Sequence, residues 1–240
     1  MPPVTRLPID AAMGRYQQEL VRWNRQINLV SRKGTLSLVA TLIRQCRDAF
    51  SVLREDELAD SKTDMPFWYF DLGSGGGLPG YVWHHELSLS FGRLRTWLVE
   101  PREKRAWFLG RLNRIAPESP ICVLEGLWGE TAVQVAELDN PGTILVSLKA
   151  LRLSDEDVLS GLAAVVGPLG PLGGCLVVIA RFYPPGQNWD EALRAELSPL
   201  SGAAQLGGVD FVPAGQVVLA PKKENPSAAS LVISRYKIRP

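Results

Sequence analysis

The stretch MPFWYFDLGSGGGLPG, residues 65–80, narrows the folds open to this chain more than any other segment. Phe67-Trp68-Tyr69-Phe70 has the aromatic density of a strand buried on both faces. Directly behind it, Gly73, Gly75, Gly76 and Gly77 strip the turn of Cβ atoms, so backbone N–H groups there can approach a ligand closely. Pro79 then suits a helix start, where its missing N–H costs nothing. A buried strand, a glycine turn and a helix make the opening unit of a nucleotide-binding α/β sheet.

The remaining sequence continues in that style. Strand-like runs fall at 66–71, 95–100, 121–124, 143–147 and 175–180, separated by helical patterns over 102–115, 131–138 and 155–166. This alternation predicts a parallel, doubly wound sheet. The tail breaks it: 216–220 and 230–238 are strand-like but separated only by PKKENPSA and its flanks, too short for a helical crossover, so they should pair antiparallel. Ahead of the sheet, Met13, Tyr16, Leu20, Trp23, Ile27 and Val30 recur at steps of three and four, with Asp10 placed to cap the helix start. Leu38, Leu42, Cys46, Ala49 and Leu53 repeat the pattern over 35–53, and the polar segment 54–64 reads as a connector. The expected architecture is a mostly parallel seven-stranded Rossmann-like sheet closed by an antiparallel hairpin. Residues 1–62 form a helical extension and 63–240 the sheet domain.

Composition removes several function classes. Cys46, Cys122 and Cys175 lie far apart with no CxxC pair, and His84 and His85 are the only histidines, so neither a metal site nor a disulfide framework is expected. No stretch reaches the roughly 18 apolar residues of a membrane span, and the N-terminus lacks an apolar signal core. A cytoplasmic monomer is expected. The net charge of +1 hides an uneven distribution. Arg22, Arg25 and Arg32 belong to a basic N-terminal stretch, and Arg102 and Arg105 to a second cluster reaching Arg114, while acids collect at 54–64 and 118–157. Such basic faces can meet the phosphates of RNA, although solvated helix surfaces carry similar charge.

Two glycine patterns overlap in the turn. Gly73-x-Gly75-x-Gly77 suits a methyltransferase, and Gly75-x-Gly77-x-x-Gly80 suits a dinucleotide site. Asp71 bears on the choice, since an acid there would repel a pyrophosphate and attract the cationic groups of S-adenosylmethionine. Glu100, ending the second strand, is placed to accept both hydroxyls of a ribose, which either nucleoside ligand offers.

Together, WNRQINLVS (23–31), FDLGSGGGLPG (70–80), LVEPREKRAWFL (98–109), VSLKAL (146–151) and LVISRYK (231–237) resemble the RsmG (GidB) family in composition and order. The resemblance implies an S-adenosylmethionine-dependent methyltransferase acting on N7 of a guanine in 16S ribosomal RNA, free or in the small ribosomal subunit. It further implies cofactor contacts at Gly73, Leu78, Glu100, the Gly129-Glu130 pair and Lys149. The chain departs from the family pattern at Leu127, at Lys149 in place of arginine, at Gln45 in place of histidine, and at Ala180-Arg181 in place of Lys-Gly. These departures fit equally a shifted substrate or a non-catalytic RNA-binding relative, and a small-molecule methyltransferase is a third reading.

Guanine N7 offers a lone pair without losing a proton, so the transfer demands no general base, in keeping with a chain that shows no catalytic triad or carboxylate pair. His84 and His85 are expected as partly exposed helix residues, Trp23 and Trp107 as core, and Trp128 in a turn beside the cofactor pocket, within reach of a base.

Overall fold

The computed structural model describes residues 9–30, 35–58, 61, 64–130, 138–170, 172–183, 199–219 and 230–239. Among them, helices α1 (Ile9–Asn24), α2 (Leu36–Glu57), α3 (Gly80–Leu87), α4 (Glu103–Arg111) and α5 (Asp155–Val166) surround a single sheet. Its strands are β1 (Phe67–Leu72), β2 (Leu94–Glu100), β3 (Cys122–Glu125), β4 (Thr143–Lys149), β5 (Leu176–Tyr183), β6 (Ala204–Leu206), β7 (Val209–Leu219) and β8 (Ser230–Ile238).

They lie in the order β3-β2-β1-β4-β5-β8-β7-β6. The first five run parallel, while β8 pairs antiparallel with both β5 and β7. The expected hairpin is therefore present, and the sheet carries an eighth strand, β6, outside the seven expected. Chain direction across the sheet reverses between β1 and β4. At such a switch point the two connecting loops part and leave a crevice beyond the carboxyl ends of the strands.

The pleat divides β1 between two cores. Phe67 and Tyr69 face the layer of α1 to α4, where they join Tyr16, Leu20, Ile43, Phe50, Trp83 and Leu109. Trp68, Phe70 and Leu72 face α5 and pack with Trp97, Val146, Leu159 and Leu162. The expected helical extension thus shares one apolar cluster with the sheet. Thr35 caps α2 by accepting from Leu38 N at 3.2 Å. Helix α2 continues to Glu57, through the start of the expected connector. Helix α5 opens with a full capping box, Ser154 and Asp157 bonding each other's backbone N–H.

Other expectations change. Asp10 sits inside the first turn of α1, so it does not cap that helix. His84 and His85 are buried, because α3 lies between α2 and the sheet and hides every residue except Glu86. His84 bridges Thr96 Oγ1 at 2.9 Å and the Ser119 carbonyl at 3.0 Å. Trp23 is half-buried, and Trp107 is 48% exposed on the outer face of α4, since only Ala106, Phe108 and Leu109 of that helix turn inward. The expected helix over 131–138 falls almost wholly outside the described residues.

Candidate functional site

A cleft of about 690 Å³ opens where the ends of β1, β2, β3 and β4 converge. That volume lies within the range that encloses a small organic ligand. Leu72 and Gly73 form one wall, Val99, Glu100 and Arg102 the second, and Gly126 to Trp128 the third, while Lys149, Ala150 and Leu151 close the fourth. Of the residues expected to hold the cofactor, Gly73, Glu100 and Lys149 therefore line the cleft.

Glu100 is 2% exposed. Its Oε2 accepts from Gly75 N at 2.8 Å and its Oε1 from Arg102 N at 3.1 Å. Each carboxylate oxygen has two acceptor positions, so one on each remains for a ligand hydroxyl. The bond to Gly75 also ties the glycine turn to the end of β2.

The turn itself works differently from the sequence expectation. Gly73 and Ser74 donate to the Val99 carbonyl at 2.9 and 3.1 Å, Gly75 donates to Glu100, and Gly77 donates to the Ser74 carbonyl at 2.7 Å. These amides are committed within the chain. What requires glycine is the backbone, with φ of +67°, +56° and +89° at Gly73, Gly75 and Gly77. The turn's other side packs against the first helical segment: Tyr16 donates to the Gly76 carbonyl at 2.8 Å, and Leu20 and Leu29 close over Gly76. Gly75, Gly77 and Leu78 lie outside the cleft's lining.

Asp71 is a correction. It does not line the cleft. Strand parity turns its side chain toward the α1 to α4 layer, where it is 1% exposed. Ser147 donates to its Oδ1 at 2.5 Å, and Tyr69 in turn contacts the Ser147 hydroxyl at 2.9 Å. Burial pushes its carboxyl up to about 6 despite hydrogen bonds from Ser147 and Ser74. A Cβ on Gly80 would come within 2.3 Å of Asp71 Oδ2, so the carboxylate explains why the helix after the turn opens with glycine. Asp71 braces the turn from beneath, outside the cleft's lining.

Gly129 and Glu130 also lie beside the cleft, outside its lining, and Glu130 Oε2 accepts from Leu127 N at 3.3 Å. Trp128 lines the cleft, yet its indole is partly spent on structure. Its Nε1 donates to the Val158 carbonyl at 2.9 Å, and its ring meets Phe70 edge-on at 5.3 Å.

The rim is cationic. Arg102 is exposed, Arg105 and Lys149 are half-buried, and all three line the cleft. Arg105 Nη2 donates to the Asn28 carbonyl at 2.7 Å, joining α4 to the segment after α1. Lys149 Nζ lies 5.3 Å from the centre of the Phe182 ring. The lining acid Asp157 is spent on the α5 cap. Arg22 and Arg25 are exposed around the end of α1, outside the cleft lining, while Arg32 falls outside the described residues. No lining residue is a histidine or cysteine, and burial raises the thiols of Cys46 and Cys175 to about 12. Among the described residues, no group of three or more His, Cys, Asp or Glu could hold a metal ion, and no helix is long and apolar enough to cross a membrane.

Sequence reasoning gave Ala150 and Leu151 no role of their own and met Arg181 only as a departure from the family pattern. Ala150 holds φ +57°, and Leu151 leans over Gly73. Beneath them Arg181, 1% exposed, pairs with Asp155 at 2.5 Å and donates to the Leu153 carbonyl at 3.0 Å, while Tyr236 donates to the other Asp155 oxygen. The one available signal was an arginine inside an otherwise apolar strand.

The family model described as rRNA small subunit methyltransferase G matches residues 9–128. A protein named ribosomal RNA small subunit methyltransferase G from Pelodictyon phaeoclathratiforme is 33% identical over 178 residues, covering 62% of this chain and 69% of that one. Its namesake from Xanthomonas campestris pv. campestris is 29% identical over 199 residues, covering 83% and 77%. Among solved structures, MtNAS in complex with MTA and tNA superposes with a TM-score of 0.51 at 15% identity, over 97% of this chain and 71% of that one. A fibrillarin/Nop5p complex gives 0.50 at 15% identity, over 81% and 82%. At such identities these two speak for the fold alone. The family model covers both helical segments, the glycine turn and the cleft wall as far as Trp128, the Pelodictyon relative is similar over 69% of its own length, and this chain belongs to the rRNA small subunit methyltransferase G family.

Proposed function

We propose that the protein transfers a methyl group from S-adenosylmethionine to N7 of a guanine in 16S ribosomal RNA. One observation carries the chemistry: a nucleoside-sized cleft at the switch point joins a buried carboxylate with free acceptor positions, Glu100, to a rim of Arg102, Arg105 and Lys149. Family membership supplies the substrate class.

The residues present fit the cofactor. Glu100 would accept the ribose hydroxyls, Val99 and Trp128 would flank the adenine, and Gly73 would admit the amino-acid portion. The bound cofactor supplies an electrophilic methyl on a positively charged sulfur. The protein's own contribution is positioning and the exclusion of water, effects able to supply several kcal/mol of barrier lowering. Leu72, Leu151 and Trp128 give the cleft apolar walls. Arg102 and Arg105 would neutralise phosphates beside the target base, and the N7 lone pair leaves no proton for a base to remove. The protein would act as a cytoplasmic monomer, with 1–62 serving as an extension that seats the turn of the 63–240 unit.

The test is methyl transfer itself. Purified protein, labelled S-adenosylmethionine and either protein-free 16S rRNA or small subunits lacking the modification should yield one 7-methylguanosine per rRNA. Cofactor binding without label in either substrate would refute methylation of 16S rRNA and leave the non-catalytic and shifted-substrate alternatives.

A further inference from the structure

On α4, Lys104, Trp107 and Arg111 follow at steps of three and four and so share one face of the helix. They span about 10 Å along its axis, starting at the end where Arg102 and Arg105 meet the cleft. Trp107 is a large aromatic left 48% exposed. Behind it stands Trp23 of α1, edge-on at 4.8 Å. The Arg111 guanidinium lies 4.9 Å from the centre of the Trp23 ring and 5.0 Å from that of Trp107. Arg22 covers Trp23 at 5.6 Å, and Trp23 Nε1 donates to Glu19 at 2.9 Å. Among the described residues no carboxylate pairs with Arg111.

This arrangement fixes an indole without burying it. Contacts with Trp23 and Arg111 hold Trp107 in place, while its other surface faces solvent. An exposed tryptophan is an apolar liability unless something covers it, and the surrounding charge selects what. Lys104, Arg22, Arg102, Arg105 and Arg111 stand near it against Glu19, already engaged, and Glu103. Single-stranded nucleic acid suits such a surface, because any base can stack on an aromatic ring while cations track the backbone. Protein interfaces also favour tryptophan and arginine, but they deplete lysine and charge at their centre, whereas here Lys104 and the arginines surround the indole.

We propose that Trp107 is a stacking platform for an unpaired nucleotide of the RNA substrate, flanking the guanine delivered to the cleft. The inference rests on the proposed function and adds a residue and a recognition mode to it. Trp107 acts outside the cleft, so it serves substrate affinity and leaves cofactor binding untouched.

The experiment compares W107A and W107F with the wild-type protein in three measurements: affinity for protein-free 16S rRNA, affinity for S-adenosylmethionine, and methylation of small subunits. Loss of one stacked base should weaken rRNA binding about 5- to 160-fold in W107A. W107F should recover most of that loss, with cofactor affinity unchanged in both. Wild-type rRNA affinity in W107A overturns the platform. So does a defect seen only with assembled subunits, which would assign Trp107 to a ribosomal protein. The two ideas fail separately: a wild-type protein that binds rRNA through Trp107 yet methylates nothing refutes the enzymatic function, whereas normal methylation with W107A binding undiminished refutes only the platform.

Discussion

Replacing Glu100 should damage folding and cofactor binding together, because one carboxylate serves both. Its two oxygens accept from Gly75 N at 2.8 Å and Arg102 N at 3.1 Å, and the side chain is 2% exposed. Hydrogen bonds to a charged acceptor contribute about 1.5–3 kcal/mol each. The cleft lets water reach the vacated space, which favours the lower end, so E100A should lose about 3 kcal/mol. For a chain of this size that corresponds to a drop in Tm of about 6–12 °C. E100Q keeps one acceptor oxygen but turns an NH₂ toward the second donor, and should fall between. Neighbouring Glu125, in register with Glu100 on β3 but exposed, provides the control: E125A should stay within about 0.5 kcal/mol of wild type. Urea denaturation measures the first effect, and calorimetric titration with S-adenosylmethionine the second, where E100A should lose roughly 1–3 kcal/mol. If E100A is as stable as E125A, the carboxylate does not hold the turn; if it binds the cofactor unchanged, the ribose lies elsewhere.

Two further perturbations probe the supports of the cleft. Burial raises the Asp71 carboxyl to about 6, above the ~3.9 of an unfolded chain. The folded state therefore binds that proton more tightly, and the group's contribution is fully present below about pH 4 and lost as pH rises through 6. Two pH units correspond to about 3 kcal/mol, so D71N should gain stability relative to wild type by up to that amount between pH 4 and 7; a pH-independent difference in urea midpoints contradicts the buried placement. R181M should cost about 3–5 kcal/mol by leaving Asp155 buried without its cation. Adding D155N, which keeps an acceptor for Tyr236, should restore part of that loss, and strictly additive unfolding energies would show that the pair is not coupled.

Local patterns were the legible part. The five parallel strands, the turn after β1 and the acid ending β2 all declare themselves within a few residues, and the length of the final connection sufficed to make β7 and β8 antiparallel. Strand β6 did not show, because its three residues carry no periodicity and are set only by pairing with β7. Asp71 was legible as an acid beside glycines, but its depth was not: it lies in register with Leu98, two residues short of Glu100 on the same face, and so sits beneath the turn and not at the strand's open end. His84 and His85 deceived for the opposite reason, since α3 is buried almost all round and its polar residues mark no solvent face. Trp107 sits beside the inward stripe of α4, and only the packing of α1 against that helix reveals which side of the indole stays open.

The most direct measurement is a crystal structure of the protein with S-adenosylhomocysteine. We expect density for the nucleoside between Gly73 and Trp128, both ribose hydroxyls within hydrogen-bond distance of Glu100, and Asp71 still beneath the turn on Ser147. A ligand bound elsewhere, or a ribose making no contact with Glu100, would contradict the assignment of the cleft.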